Sequence, residues 1–236
     1  MSIAPLARAV AAVERRGILL VYPLANRAEP RSLWSELHPR STMRWSWDNG
    51  ADARVAQIWH LREELARSED VVYAKWFRGR ATLFSRSVFR AILALLAREA
   101  DLRAGLSRQA LQLLELLEDN SPQSTKELRA SAELQGRANE AAYTRGLKEL
   151  WSRLLIVGVG EVNDGAFPSL NMSATRLRFE DSLPGGAEEV AHREEDAASL
   201  ESALADAPLF ARELAKTRAT LRASKRDPRA SPSLLE

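Results

Sequence analysis

The first residues of the chain alternate between helical and extended hydrophobic patterns. Leu6, Val10 and Val13 lie three or four residues apart, so they predict a helix over residues 4–16. The apolar run at residues 18–22 has the length and composition of a short buried strand. The chain therefore opens with a helix followed by a strand, and Ser32 can cap a short helix after that strand.

Four further elements are predicted in the order helix, strand, strand, helix. The helices show apolar residues at a period near 3.6, and the first strand is a β-branched and aromatic run. Gly79 supplies the turn between the strands, and Ser85 or Ser87 caps the last helix. The predicted bounds are 51–68, 71–77, 81–84 and 88–100.

Residues 105–180 carry the clearest pattern in the chain. Ser107, Ser124 and Asn139 each precede hydrophobic residues at helical spacing, and we predict all three as N-caps. Glu127 follows Ser124 by three residues and completes a capping box. Three helices are therefore predicted in succession.

A hairpin completes this region. Strands are predicted over residues 155–162 and 167–172, and Asn163-Asp164-Gly165 between them is typical of a hairpin turn. Helix, helix, glycine-containing turn, helix and hairpin is the order of a winged helix-turn-helix. We therefore predict an α+β, mostly helical fold of tandem winged helix-turn-helix units with small β-hairpin wings.

The charge is nearly balanced overall but unevenly placed. Lys and Arg number 34 and Asp and Glu 32, a net charge of +2. Residues 181–206 hold eight acids and one base (−7), whereas residues 212–229 hold seven bases and two acids (+5). Two arrangements remain open for this basic half, namely contact with DNA or packing on the acidic half. We predict an N-terminal winged-helix-like region at 1–104, a winged helix-turn-helix at 105–180 and a charged, partly disordered tail at 181–236.

Composition excludes several classes of protein. The absence of cysteine excludes disulfides, thiolate catalysis and cysteine-based metal sites. No apolar stretch approaches the roughly 18 residues of a membrane helix, and charges interrupt the N-terminus where a secretory signal would lie. We expect a cytoplasmic protein with no membrane partner.

No cofactor or metal is expected. The three histidines are scattered without ligand spacing. Gly158-Val159-Gly160 lacks the third glycine and the following helix of a dinucleotide-binding loop. Trp45, Trp47 and Trp76 are predicted core residues, with stacking on exposed bases as the alternative.

The third helix of the middle region has a polar, basic outer face. Thr144, Arg145 and Lys148 lie opposite its apolar residues, and Arg137 stands just before the helix. A short basic face on this helix is typical of a major-groove reader. The alternatives are a protein-binding face and an ordinary solvated helix.

A second basic cluster surrounds the N-terminal hairpin turn. Lys75, Arg78 and Arg80 flank Gly79 and interleave with aromatic residues. Arginines at a tight turn can contact DNA phosphates. The alternative is an exposed hairpin whose charges keep its edge soluble.

Five segments, in order along the chain, resemble a known family. They are Pro30-Arg31-Ser32-Leu33-Trp34-Ser35, Trp45-Ser46-Trp47-Asp48, Tyr73-Ala74-Lys75-Trp76-Phe77-Arg78-Gly79-Arg80-Ala81-Thr82, Thr144-Arg145-Gly146-Leu147-Lys148-Glu149-Leu150 and Val157-Gly158-Val159-Gly160-Glu161. Together they resemble proteins related to the AlkZ/YcaQ winged-helix DNA glycosylases, over roughly residues 10–178. The resemblance implies duplex DNA as the partner. The glycosylases of that family excise alkylated bases and unhook interstrand crosslinks.

The catalytic motif that the resemblance implies is missing. In those glycosylases a Gln-X-Gln or Gln-X-Asp motif of the N-terminal winged helix positions the attacking water. In this chain no two glutamines lie two residues apart, none has Asp at that spacing, and residues 18–22 are wholly apolar. No catalytic residue is therefore assigned, and we expect a DNA-binding protein without this chemistry.

Two other functions remain open. A lesion-specific DNA glycosylase with an altered active site would use a different acid. Glu29, Glu36 and Asp48 lie in the right region, although surface carboxylates are the simpler interpretation. A winged-helix protein-interaction module would use the basic surface without phosphate.

Overall fold

A computed structural model describes residues 4–44 and 52–226. Helices make up 57% of these residues, and six strands form one antiparallel sheet. The predicted α+β, mostly helical class is therefore confirmed. Trp45, Trp47 and Asp48, which the sequence analysis singles out, lie outside the described residues.

The N-terminal unit has the predicted elements, including the short helix α2 that Ser32 can cap. Ser32 caps this helix in a capping box with Ser35, which donates its backbone N–H to Ser32 Oγ at 3.1 Å. Of the two serines proposed for the last helix, Ser85 is the cap and accepts from Val88 N at 3.3 Å. The elements are α1 (Pro5–Arg16), β1 (Ile18–Leu20), α2 (Leu33–Leu37), α3 (Ala53–Arg67), β2 (Val71–Phe77), β3 (Arg80–Ser85) and α4 (Arg86–Ala97).

The middle unit contains the three predicted helices and the hairpin. The capping box is confirmed, since Glu127 N donates to Ser124 Oγ at 3.1 Å and Ser124 N donates to Glu127 Oε2 at 2.8 Å. Asn139 is the N-cap residue of the third helix, as predicted, but its side chain makes no capping hydrogen bond. A 3₁₀ turn at Arg137–Asn139 already leads into the helix, and the Asn139 amide donates to Gln135 O at 3.0 Å. The elements are α5 (Arg108–Asp119), β4 (Gln123–Ser124), α6 (Thr125–Ser131), α7 (Glu140–Ser152), β5 (Ile156–Val162) and β6 (Ser169–Ala174).

The two units share one sheet and one order of elements. Each unit runs helix, strand, helix, helix, strand, strand, and in each the first strand pairs with the third. The whole sheet has the order β1-β3-β2-β5-β6-β4, so β2 and β5 join the units at its centre. The second unit thus repeats the strand pairing of the first.

The junction between the units is closely packed. Gly158 pairs with Tyr73, and a β-carbon on Gly158 would lie 2.2 Å from Tyr73 Cδ1. Only glycine fits beneath this ring. Beside the junction, Arg62 of α3 donates to Glu161 of β5 at 2.5 Å, and both side chains are more than nine-tenths buried. These contacts hold the two units in one arrangement.

Between the sheet and residue 226, the described chain contains three α-helices. They are α8 (Thr175–Arg178), α9 (Ala187–Ala205) and α10 (Pro208–Arg226). α9 packs on α4, where the buried Asp196 accepts from Arg90 Nε at 2.7 Å and Arg90 Nη2 at 2.8 Å. α10 buries Phe210, Leu214 and Leu221 on one face. Within the described residues, none of the helices combines the length and apolarity needed to cross a bilayer.

Candidate nucleic-acid interface

α7 is held against α5 by one face. Tyr143, Leu150 and Trp151 are buried, and Gly146 brings the two helices close together. A β-carbon on Gly146 would lie 3.0 Å from Leu113 Cδ1. Because this face is fixed to the core, the opposite face of α7 points to solvent.

The solvent face of α7 carries the predicted basic residues. Thr144, Arg145 and Lys148 are exposed, with Lys148 four residues after Thr144 and three after Arg145, and Arg137 is exposed in the turn before the helix. Residues at this spacing are neighbours on a helix surface. The structure therefore leaves all four predicted side chains exposed, three of them on α7 and the fourth in the turn before it.

The electrostatic environment leaves these cations available. Glu140, the acid at the start of α7, accepts from Arg129 at 2.8 Å and from Thr144 Oγ1 at 3.3 Å. Among the described residues, Arg137, Arg145 and Lys148 have no ion-pair or hydrogen-bond partner for their side chains. Many other arginines of the chain are paired with carboxylates. The positive charge of this face is therefore uncompensated.

Arg129 of α6 packs against α7 beside the solvent face. Its guanidinium lies 4.3 Å from the centroid of the Tyr143 ring, and the Tyr143 hydroxyl donates to Thr125 O at 2.8 Å. Burial raises the pKa of Tyr143 to about 12. This tyrosine therefore stays a neutral hydrogen-bond donor that ties α7 to α6.

The loop at residues 163–168, between β5 and β6, is fastened to the start of α6. Ser124 Oγ donates to Asp164 Oδ2 at 2.9 Å, and Lys126 Nζ donates to Asp164 O at 2.7 Å. Phe167 in this loop is 85% exposed. The second strand begins at Ser169 rather than at the predicted residue 167, because six residues and not a tight turn connect the strands. Lys126 adds a cation beside the loop that the sequence analysis did not single out.

The N-terminal hairpin presents two of its three predicted cations. Arg78 takes φ 52° in the turn, stacks 5.0 Å from the Phe77 ring centroid and lies 4.0 Å from Glu213. Arg80 is exposed. Both side chains lie at the tip of the hairpin, on strands that continue into the shared sheet.

Lys75 is placed differently. It is half-buried, and burial together with the neighbouring Arg62 lowers its pKa. It therefore lies next to the Arg62–Glu161 ion pair of the unit junction rather than at the hairpin tip. The alternation of side chains along a strand could not reveal this, because it depends on α3 packing over β2.

The other candidate groups are dispersed. His38 and His60 line a cleft of about 540 Å³ between α1 and α3. Burial lowers the pKa of His38, and nearby Arg54 lowers it further. Across residues 4–44 and 52–226, no group of three potential ligands could hold a metal ion.

The family match covers most of this architecture. The family model described as AlkZ related matches residues 3–167. The chain belongs to the AlkZ-related family. The resemblance seen in the sequence is thus confirmed, and with it a relationship to glycosylase-like proteins of DNA repair. No curated protein and no solved structure gives a significant match.

In this AlkZ-related chain, the candidate carboxylates Glu29 and Glu36 both contact arginines. Burial alone would raise the pKa of Glu36, but hydrogen bonds from Arg15 and Arg16 outweigh it and lower that pKa. Glu29 pairs with Arg31 at 3.3 Å, and its Oε2 atom is buried without a hydrogen-bond partner. Glu36 is therefore held as an ionised partner of arginines, which is unsuited to a general acid.

Proposed function

We propose that this chain is a winged-helix protein that binds duplex DNA. It is related to the glycosylases of DNA alkylation repair and lacks their catalytic glutamine motif. In this proposal α7 enters the major groove, Arg137, Arg145 and Lys148 bind it together with Thr144, and Arg78 and Arg80 contact flanking phosphates. Lys75 would support the hairpin from within.

The repeated order of elements supports tandem winged helices. Each unit has a first strand paired with the third, followed by a hairpin that would form the wing. In this arrangement α7 is the recognition helix of the second unit and residues 163–168 are its wing. The three-part division at residues 104 and 180 belongs to the same proposal.

The observation that carries the proposal is the unpaired charge on α7. Exposed cations lose little by remaining unpaired in water, but three on one short face form a positive surface. Their spacing matches a helix that lies in a groove, with the phosphates on either side. Glu140, the acid of this face, is paired with Arg129, so it does not neutralise these cations.

The first strand, β1, supports the loss of the family's chemistry. The side chains of Ile18, Leu19 and Leu20 are buried in the core at 0–2% exposure. A glutamine pair that positions water must reach the DNA sugar, and this strand offers no polar side chain. The fold and the basic surface would then persist without the reaction.

Duplex binding measured by fluorescence anisotropy across a salt series tests the proposal. Each neutralised phosphate contributes about −0.9 to the slope of log K against log salt. We expect a slope of about −3 or steeper, and Arg145→Ala with Lys148→Ala should reduce it by about 1.8. Thermal stability should stay unchanged because both side chains are exposed.

A matched control is available in the N-terminal unit. Arg8 and Arg27 are also exposed, and their replacement by Ala removes the same charge. The slope should then stay near that of the wild type. No binding at low salt would overturn the proposal, and equal losses in both double variants would remove α7 as the site.

Family membership keeps glycosylase activity as a second candidate. It predicts alkali-labile abasic sites in methylated or crosslinked oligonucleotides. We expect none across several lesions. A protein-interaction module would instead retain a partner in high salt without nucleic acid.

A further inference from the structure

α10 lies across both units. Its first turn packs Phe210 at 6.1 Å from Trp76 and 5.3 Å from Phe77, measured between ring centroids. Further along, Thr217 Oγ1 donates to Ser152 O at the end of α7 at 3.4 Å. One helix therefore touches both the N-terminal hairpin and the proposed recognition helix.

The two flanks of α10 differ in charge compensation. On one flank Arg218 and Arg222 bind Glu99 at 2.5 Å each, and these hydrogen bonds lower the pKa of Glu99 to about 2. On the other flank Arg212 and Lys216 are exposed and, within the described part of the chain, without an ion-pair partner. Among the described cations of α10 from residue 212 to residue 222, these two are the ones without an acidic partner.

Arg212 and Lys216 flank the residues by which α10 contacts the hairpin and α7. Glu213 lies between Arg212 and Lys216 along the helix and approaches Arg78 at 4.0 Å. Lys216 immediately precedes Thr217, which contacts α7. The two exposed cations therefore belong to the stretch of α10 that joins its contact with the hairpin to its contact with α7.

We propose that Arg212 and Lys216 of α10 bind the phosphate backbone of duplex DNA between α7 and the N-terminal hairpin. This inference rests on the proposed function and extends its surface beyond residue 167, where the family match ends. α10 makes the two separate basic clusters into one continuous track. Phosphates are the expected ligand because a short row of unpaired Arg and Lys matches successive backbone charges.

The test compares two double variants of the full chain. Arg212→Gln with Lys216→Gln should reduce the salt slope of duplex binding by about 1.8, two contacts at about 0.9 each. Arg222→Gln with Lys225→Gln removes the same charge from the opposite flank and should leave the slope unchanged. Circular dichroism checks that both variants keep their helices.

A third variant gives an effect of the opposite sign. Glu213→Gln removes a carboxylate beside the track and releases Arg78, so duplex binding should become tighter. Unchanged or weaker binding by this variant would contradict the proposal.

The outcomes separate the two proposals. If the wild type binds with a steep slope and the Arg212–Lys216 variant is unaffected, α10 is outside the interface while the proposed function stands. Equal losses in both double variants would show that only the overall positive charge of the protein matters, and would overturn the inference. Absence of binding by the wild type would overturn both.

Discussion

At the scale of single residues, Gly158 decides how the two halves meet. The ring of Tyr73 occupies the space where any other residue would place its β-carbon. Neither residue can move easily, because each belongs to a central strand of the sheet. The junction therefore depends on a hydrogen atom in place of a side chain.

Replacing Gly158 with Ala should destabilise the protein. Overpacking of a tight site typically costs about 1–3 kcal/mol in the free energy of unfolding. Urea denaturation followed by circular dichroism measures this change. Gly165→Ala is the matched control, since a β-carbon there would lie 3.9 Å from the nearest contact, Phe167 O, and it should be nearly neutral. Equal effects of the two substitutions would contradict the packing argument.

Glu36 gives the protein a stabilising contact that depends on pH. Hydrogen bonds from Arg15 and Arg16 lower its pKa in the folded state, so its contribution is present above the unfolded pKa of about 4.3. That contribution is lost as the pH falls through the lower, folded value. Glu36→Gln should therefore destabilise the protein more at pH 7 than at pH 3.

Free energies of unfolding at the two pH values measure this difference. Glu64→Gln, which removes an exposed carboxylate of α3, is the control for the change of residue type. A Glu36→Gln effect of equal size at both pH values would show that the ion pairs contribute nothing.

At the scale of elements, α9 shows how an acidic segment becomes structural. Its Asp196 forms a two-pronged contact with Arg90 of α4, and Glu188 accepts from Arg86 at 2.5 Å. The acidic side chains that suggest a solvated tail are thus partly paired with arginines of α4. Periodicity alone could not reveal this, because the pairing joins residues about a hundred positions apart.

Loss of the buried carboxylate should weaken the docking of α9. Asp196→Ala removes the two-pronged partner of the buried Arg90 and leaves it only Glu188 at 3.4 Å. Breaking a buried pair by removing one partner typically costs about 3–5 kcal/mol, and the remaining contact with Glu188 places the expected loss at or below the lower end. Urea denaturation should show this loss, whereas Glu194→Ala on the exposed face of the same helix should be nearly silent. Similar small effects from both would show that α9 contributes little to the fold.

The sequence predicts most elements but not their long-range contacts. Strong periodicity and caps such as Ser124 depend on neighbouring residues, and they are confirmed. The two-residue strand β4 is too short for any pattern, and the half-burial of Lys75 depends on α3. Of the candidate site, the exposed face of α7 follows from helical spacing, whereas Arg212 and Lys216 enter only through the position of α10.

At the scale of the whole molecule, the shared sheet couples the two units. β2 and β5 pair at the centre of six strands, and the Arg62–Glu161 ion pair is buried beside them. α10 contacts both units again on another side. Separate unfolding of either half would expose these contacts to water.

We therefore expect one cooperative unfolding transition for the whole chain. Tryptophan fluorescence and far-ultraviolet circular dichroism should give the same midpoint in urea. Two transitions, or midpoints that differ between the probes, would mean that the units are energetically independent.

The strand order has a consequence for the DNA that such a protein would select. Numbered within its own unit, each half contributes strands in the order first, third, second from the outer edge inward, so the architecture is palindromic. The exposed side chains differ between the halves: those of α3 include Gln57, His60 and Glu64, whereas those of α7 include Arg145 and Lys148. The two halves thus repeat one strand order, but the basic helix face belongs to the second half. Under the proposed function, such a protein would bind the duplex in a single orientation. Its targets would need no inverted repeat.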